Sequence, residues 1–126
     1  MAVGGSLHDV HQAFGWVVVL SNAVAGAWAL GGHRWERLRT PLLWWYTGAA
    51  QLTVFVEVII GVILVNTEDI EAPQFHMLYG FSGIVAVAII YSYRHQLAQY
   101  LYLLYGLGGL FVMGLAIRAM FIGGAR

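Results

Sequence analysis

The stretch that decides the fold is LLWWYTGAAQLTVFVEVIIGVILV, residues 42–65. It is longer than the roughly 20 apolar residues that a helix needs to cross the ~30 Å hydrocarbon core of a bilayer, and Glu57 is its only charged residue. Three further apolar runs of similar length lie at about residues 12–32, 75–93 and 100–122. Because backbone groups inside a bilayer must be hydrogen-bonded within their own segment, we expect all four runs to be helices.

The composition indicates that the solvent of this chain is a lipid bilayer. Of its 126 residues, 60% are hydrophobic and only 10% are charged, and the mean hydropathy is +0.74. A soluble domain carries about 25% charged residues. The length allows a single domain, residues 1–126, and the formal net charge of zero implies no nucleic-acid partner. The absence of cysteine excludes disulfides, thiolate metal sites and iron–sulfur clusters.

The loops predict the orientation of the helices. The loop before the second span carries Arg34, Arg37 and Arg39, and the loop before the fourth carries Arg94. The loop between the second and third spans, residues 67–71, has three acidic residues and no Lys or Arg. By the positive-inside rule the basic loops face the cytoplasm and both termini lie outside. The sequence therefore predicts an all-α, integral membrane four-helix bundle of the cell (plasma) membrane, built as two helical hairpins in parallel repeat.

Two six-residue strings share the pattern His-x-x-aromatic-Gly-aromatic. They are His11-Gln12-Ala13-Phe14-Gly15-Trp16 and His76-Met77-Leu78-Tyr79-Gly80-Phe81, and each lies at the start of an apolar span. In the predicted topology both histidines lie at the same depth, near the outer surface. Gly15 lies one helical turn from His11, and Gly80 and Gly83 share the helix face of His76. Small residues beside each histidine leave room for a ring, which favours a flat cofactor held between two helices.

The same residues also have a purely structural interpretation. Small residues on a membrane helix usually allow close packing of helices, and a histidine at the membrane boundary is often only an interfacial polar residue. The repetition of the whole pattern at matched depth is what favours a pair of ligands.

The order of these motifs resembles one half of the heme A synthase family. Residues 9–15, DVHQAFG, look like the histidine-bearing helix start of that family, and residues 75–80, FHMLYG, resemble its next histidine helix. Between them, Gln51 followed by residues 57–65, EVIIGVILV, is similar to the family's Gln-then-Gly apolar helix. In that family each half is a four-helix bundle with a histidine pair for haem on the outer side of the membrane.

This resemblance implies haem ligation by His11 and His76, with haem b as the expected cofactor. The family has two such halves, whereas this chain has one. Its catalytic half carries a glutamate one turn before the first histidine, at the position that His8 occupies here. The resemblance therefore implies a haem-binding bundle without synthase activity, and a protein that is not an enzyme by itself.

Two charged residues lie within the apolar spans, Glu57 and Arg118. An intramembrane carboxylate is costly and is a candidate for a functional site by default. Glu57 is expected to serve a proton path or to pair with Arg118. Arg118 is expected either to bind a haem propionate, since guanidinium binds carboxylate through two hydrogen bonds, or to extend to the interface as a membrane arginine commonly does.

A non-haem metal site is an alternative for the outer end of the bundle. Nitrogen and oxygen ligands of this kind can bind zinc or copper(II). The residues concerned are His8, Asp9, His11, Glu68, Glu71 and His76. Their spacing matches no strict metal motif, and the acidic residues are equally well explained as a solvated loop.

Three functions remain open from the sequence. The first is a small haem-b protein in electron transfer or haem handling, with the iron bound by His11 and His76. The second is a cofactor-free accessory subunit of a respiratory or other membrane complex, and the third is a small oligomeric transporter or channel that uses Glu57. The glycines of the last span are expected to pack against neighbouring helices, or to contact other membrane proteins or a second copy of the chain. They are Gly106, Gly108, Gly109 and Gly114.

Overall fold

The computed structural model of the chain describes residues 3–67 and 74–124, with the side chains of residues 9–66 and 74–122. These residues form four α-helices, namely α1 Val3–Arg34, α2 Pro41–Thr67, α3 Gln74–Ser92 and α4 Leu101–Gly124. Short 3₁₀ turns at Glu36–Leu38 and Ala98–Tyr100 lie in the connections. No strand occurs in the described ranges, so the all-α prediction is confirmed there. All four helices are long and apolar enough to cross a membrane, which identifies the chain as a candidate multi-pass membrane protein.

The helix bounds agree closely with the predicted spans, except at the start of α1. The predicted span begins near Gln12, where the apolar run begins, whereas the helix begins at Val3. Hydropathy marks the part of a helix that suits lipid, and polar residues such as Asp9 can extend the helix beyond it. Pro41 is the first residue of α2, a position where the missing N–H of proline costs little.

Arg39 closes the connection between α1 and α2. Its guanidinium donates hydrogen bonds to the carbonyl oxygens of Gly32 and His33, which have no partner within the last turn of α1. The indole N–H of Trp28 donates to the carbonyl oxygen of Leu38 at 3.0 Å. These contacts turn the chain back on itself and place α2 beside α1. Further along, Asn22 Nδ2 donates to the carbonyl oxygen of Ala50 at 3.2 Å and so links the two helices in their interior.

The helices form a ring in chain order. The α1 helix packs closely against α4 and also against α2, and α3 packs against α4, whereas α2 and α3 make few contacts. The buried core lies midway along the bundle and draws on every helix. Its members are Val18, Val54, Ala86, Val87, Ile90 and Val112. The starts of α1 and α3 and the ends of α2 and α4 thus share one end of the molecule, which we name the histidine end.

Glycines permit the close approach of α1 and α4. A methyl group added at Gly26 would lie 2.9 Å from both the Gly106 oxygen and the Leu110 nitrogen of the α4 backbone. One added at Gly106 would lie 2.6 Å from Leu30 of α1, and one at Gly108 would overlap the side chain of Ile90 on α3. The α4 glycines at these positions therefore serve packing within the chain. The surface of α4 left for a partner carries Leu107, Phe111, Gly114 and Phe121.

We expect Gly26→Ala to destabilise the bundle by about 1–3 kcal/mol, the usual cost of forcing extra volume into a packed core. The atoms that a methyl would meet belong to the α4 backbone and cannot rotate away. The measurement is reversible unfolding in detergent. Gly114→Ala is the matched control because a methyl there meets nothing within 4 Å, and equal stability of the two variants would contradict this account of the α1–α4 contact.

Candidate functional site

A cavity of about 990 Å³ lies at the histidine end of the bundle. Every helix contributes to its wall, within residues 9–18, 54–66, 76–83 and 112–120. Three of the lining residues, Val18, Val54 and Val112, belong to the buried core and form the floor. The volume lies at the upper end of the roughly 300–1,000 Å³ typical of small-molecule and cofactor sites. It is named the histidine cavity below.

His11 and His76 both line this cavity, from α1 and α3 respectively. Their ring centres are 6.2 Å apart and their planes are inclined at 85°. Two imidazoles that bind one metal ion from opposite sides, through nitrogens at about 2.0–2.1 Å, have ring centres about 6 Å apart, because each centre lies roughly 1 Å beyond its nitrogen. The observed distance between the ring centres is compatible with this arrangement.

The His76 ring is held by the backbone of α4. Its Nδ1 lies 2.7 Å from the carbonyl oxygen of Ala119. Because a carbonyl oxygen can only accept a hydrogen bond, Nδ1 carries the proton and donates it. The lone pair of the neutral ring is then on Nε2, the nitrogen left for a metal ion.

The His11 ring lies beside a carboxylate. His11 Nδ1 is 3.2 Å from Glu57 Oε1, and both side chains are less than one-fifth exposed. The two groups are not aligned for a hydrogen bond, so the contact is an electrostatic one at close range. A carboxylate or a backbone carbonyl next to the second ring nitrogen is the usual environment of a metal-binding histidine. Glu57 supplies the carboxylate beside His11, and Ala119 supplies the backbone carbonyl beside His76.

The structure bears on one of the two roles considered for Glu57, the pair with Arg118, and the proton path stays a prediction. In the described part of the chain its carboxylate lies against His11, and no Glu57–Arg118 pair is found there. Arg118 is exposed, with its guanidinium carbon 6.0 Å from the centre of the Tyr79 ring, and it is not among the lining residues of the histidine cavity. A contact between Arg118 and a haem propionate stays a prediction.

The three glycines predicted to make room for a ring have different surroundings in the structure. A methyl added at Gly80 would meet nothing within 4 Å, so this residue faces open space in the cavity. A methyl at Gly15 would lie 3.2 Å from Glu57 Oε2, so Gly15 leaves room for the carboxylate. A methyl at Gly83 would lie 3.4 Å from Val54 Cγ1, in ordinary contact, where α3 approaches α2.

Gly61 is a site residue that the sequence analysis missed. A methyl added there would lie 3.2 Å from His11 Cε1 and 3.6 Å from its Nε2, so only glycine lets the ring lie against α2. The available signal is the spacing of Glu57 and Gly61, four residues apart and so on one face of α2. That spacing says nothing about His11, because the contact depends on how α1 pairs with α2.

The non-haem metal site is not assembled in the described ranges. No group of three or more His, Asp or Glu side chains that could hold a metal ion occurs in them. Three members of the predicted set, His8, Glu68 and Glu71, lie outside the side chains that the structure describes. A haem iron needs only one or two ligands from the protein, so this finding leaves the histidine pair as the candidate centre.

The histidine cavity thus brings together His11, His76, Glu57 and Gly80, and it leaves Arg118 outside its wall. It is a largely apolar chamber with two imidazoles in its wall. Comparisons of the chain with protein-family models, with curated proteins and with solved structures find no match.

Proposed function

We propose that this protein is a small haem-b protein of the plasma membrane that acts in electron transfer or haem handling. His11 and His76 are the residues that would hold the haem iron. The observation that carries the proposal is the 6.2 Å separation of the two histidine rings across a cavity of cofactor size.

The residues of the cavity fit the group. Haem is a flat, mostly apolar ring, and the chamber is walled largely by apolar side chains with open space at Gly80. When bound, haem supplies a one-electron redox centre whose properties the protein tunes through its ligands and their surroundings. His76 is held by its hydrogen bond to Ala119 and His11 lies against Glu57, so both rings have a neighbour that restricts them before any ligand arrives, which lowers the entropy lost on binding.

Two histidine ligands favour a role in electron transfer or in carrying haem. They do not favour catalysis at the iron. If both imidazoles bound the iron, it would have no open position for a substrate. Glu57 lies 3.2 Å from His11 Nδ1 and would help to orient that ring. The described residues thus favour a protein that is not an enzyme by itself.

We place the histidine cavity at the outer side of the membrane, with both termini outside and the α1–α2 and α3–α4 hairpins in parallel repeat. The basic residues that support this orientation lie in the two connections at the opposite end of the bundle. They are Arg34, Arg37, Arg39 and Arg94. Short basic loops remain on the cytoplasmic side of a membrane.

A cysteine at the start of α3 is expected to react with a membrane-impermeant maleimide in intact cells. Gln74→Cys is suitable because Gln74 is exposed at the histidine end and the native chain has no cysteine. His95→Cys, exposed in the α3–α4 connection, serves as the inverse control and should react only after permeabilisation. The opposite labelling pattern would refute the orientation.

Gly61→Val is expected to weaken haem binding about 10–100-fold, the effect typical of disturbing the support of a metal ligand. The added side chain would occupy the place where the His11 ring lies against α2. The measurement is the dissociation constant for haem of the purified protein. Gly48→Val on the same helix is the control because a methyl there meets nothing within 4 Å, and unchanged affinity in Gly61→Val would show that His11 is not the ligand.

The proposal is tested by titrating the full chain, prepared from haem-starved cells, with ferric haem in detergent. We expect saturation at one haem per chain and quenching of tryptophan fluorescence, since Trp16 lines the cavity. The matched control is the double variant His11→Ala/His76→Ala. Binding that fails to saturate, or that is equally tight in the double variant, would refute the proposal.

A further inference from the structure

We infer that the histidine cavity is loaded sideways from within the bilayer, through a gap between α2 and α3. This inference rests on the proposed function and adds the route by which the ligand reaches the histidines. The class of ligand it admits is a flat, lipid-dissolved molecule with an apolar body and a polar edge, of which haem is one.

The gap follows from the way α2 and α3 diverge. The two helices make few contacts, and they approach each other at the floor of the cavity, where a methyl on Gly83 would touch Val54 at 3.4 Å. Nearly one turn closer to the histidine end, at Gly80, an added methyl would meet nothing within 4 Å. The space between α2 and α3 therefore widens from the floor toward the histidine end.

The rim of this gap is apolar. Besides Trp16 of α1, which lines the cavity and is 57% exposed, four lining residues are 37–49% exposed, and these four lie on the two helices that flank the gap. They are Val62 and Val65 on α2 and Met77 and Phe81 on α3. We name these four residues the side opening. Because they lie within helices of membrane-spanning length and composition, the side opening faces acyl chains.

The other sides of the cavity are bridged by direct contacts at the level of the histidines. Between α1 and α2, Glu57 and Gly61 lie against His11. Between α3 and α4, His76 donates its hydrogen bond to Ala119. The α1 and α4 helices pack most closely of all pairs. A rigid ring passing between helices therefore meets the least obstruction at the side opening.

The polar lining residues indicate how such a ligand is oriented. Asp9, Gln12 and Asn66 line the cavity, are exposed, and lie on the histidine-end side of its floor. A ligand whose polar edge points toward them keeps its charged groups near water, while its apolar body passes between α2 and α3. A charged group held in the hydrocarbon would cost several kcal/mol. The position of these polar residues therefore favours entry with the polar edge of the ligand toward the histidine end.

The test compares rates of haem transfer in phosphatidylcholine vesicles that contain the full chain. The double variant Val62→Trp/Met77→Trp narrows the side opening from both helices at exposed positions. Ile89→Trp, exposed on α3 but not lining the cavity, is the matched control for a bulky residue facing lipid. Gln74→Trp, exposed at the histidine end and not lining the cavity, tests entry from the aqueous end. Uptake is followed by absorbance, and release is followed by transfer of haem to a soluble haem-binding acceptor.

We expect the double variant to slow both uptake and release about tenfold, as a narrowed route does. Ile89→Trp and Gln74→Trp should leave both rates unchanged. Unaltered rates in the double variant, slowing by Gln74→Trp alone, or slower uptake combined with faster release would overturn the inference. A wild-type chain that takes up no haem would instead refute the proposed function, so the two failures are distinguishable.

Discussion

His11→Ala and His76→Ala are each expected to abolish stoichiometric low-spin haem in the purified protein. A six-coordinate, low-spin iron needs both imidazoles, and each histidine lies on a different helix with its own Nδ1 partner, so neither can replace the other. Removing a residue that supports a metal ligand lowers the affinity roughly 10–100-fold. Removing the ligand itself is expected to lower the affinity for haem by more than this. The measurement is the ratio of haem to protein together with the absorption spectrum.

The controls for this pair are the two other described histidines. His33 and His95 are exposed, at the end of α1 and in the α3–α4 connection, and their alanine variants should keep the haem content and spectrum of the wild type. Full low-spin haem in either His11→Ala or His76→Ala would exclude the assigned ligand pair.

Gly80→Leu is expected to lower haem affinity at least tenfold, equivalent to about 1.4 kcal/mol, while the stability of the haem-free form changes little. The wall at Gly80 faces open space, so a leucine fits when the cavity is empty. The same side chain would occupy volume that a ring against α3 needs. The two measurements are the dissociation constant for haem and the thermal unfolding of the haem-free protein.

Two further leucine variants separate this effect from general overpacking. Gly109→Leu should destabilise the haem-free protein, because an added Cβ there lies 3.0 Å from the Cα of Gly26 and overpacking costs about 1–3 kcal/mol. Gly48→Leu, with open space around it and remote from the cavity, should change neither property. Unchanged haem affinity in Gly80→Leu would show that no ring lies against α3 at Gly80 and would remove half the support for the repeated histidine motif.

Sequence reasoning was sufficient for the helices because their signal is local. An uninterrupted apolar run such as residues 42–65 has no other stable conformation in lipid than a helix, and α2 indeed extends over Pro41–Thr67. The repeated motif also singled out His11 and His76, which the structure places on one cavity. The topology needed to bring them together follows from the number of spans and the shortness of the connections.

The partners of these residues could not be predicted in the same way. Whether Glu57 meets His11 or Arg118 depends on the rotation and axial position of α2 relative to α1 and α4, which no spacing within α2 encodes. The role of Gly61 against His11 and the use of Gly106 and Gly109 for packing against α1 depend on the same inter-helix register. Hydropathy is nearly uniform around these helices, so the amphipathic pattern that orients a helix in a soluble protein is weak here.

The most direct test of the central claim is the haem stoichiometry and the reduced-minus-oxidised spectrum of the full chain purified from haem-replete cells. The proposed function predicts one haem b per chain, six-coordinate and low-spin in both oxidation states, as two imidazole ligands require. A protein that purifies without colour from such cells would contradict it.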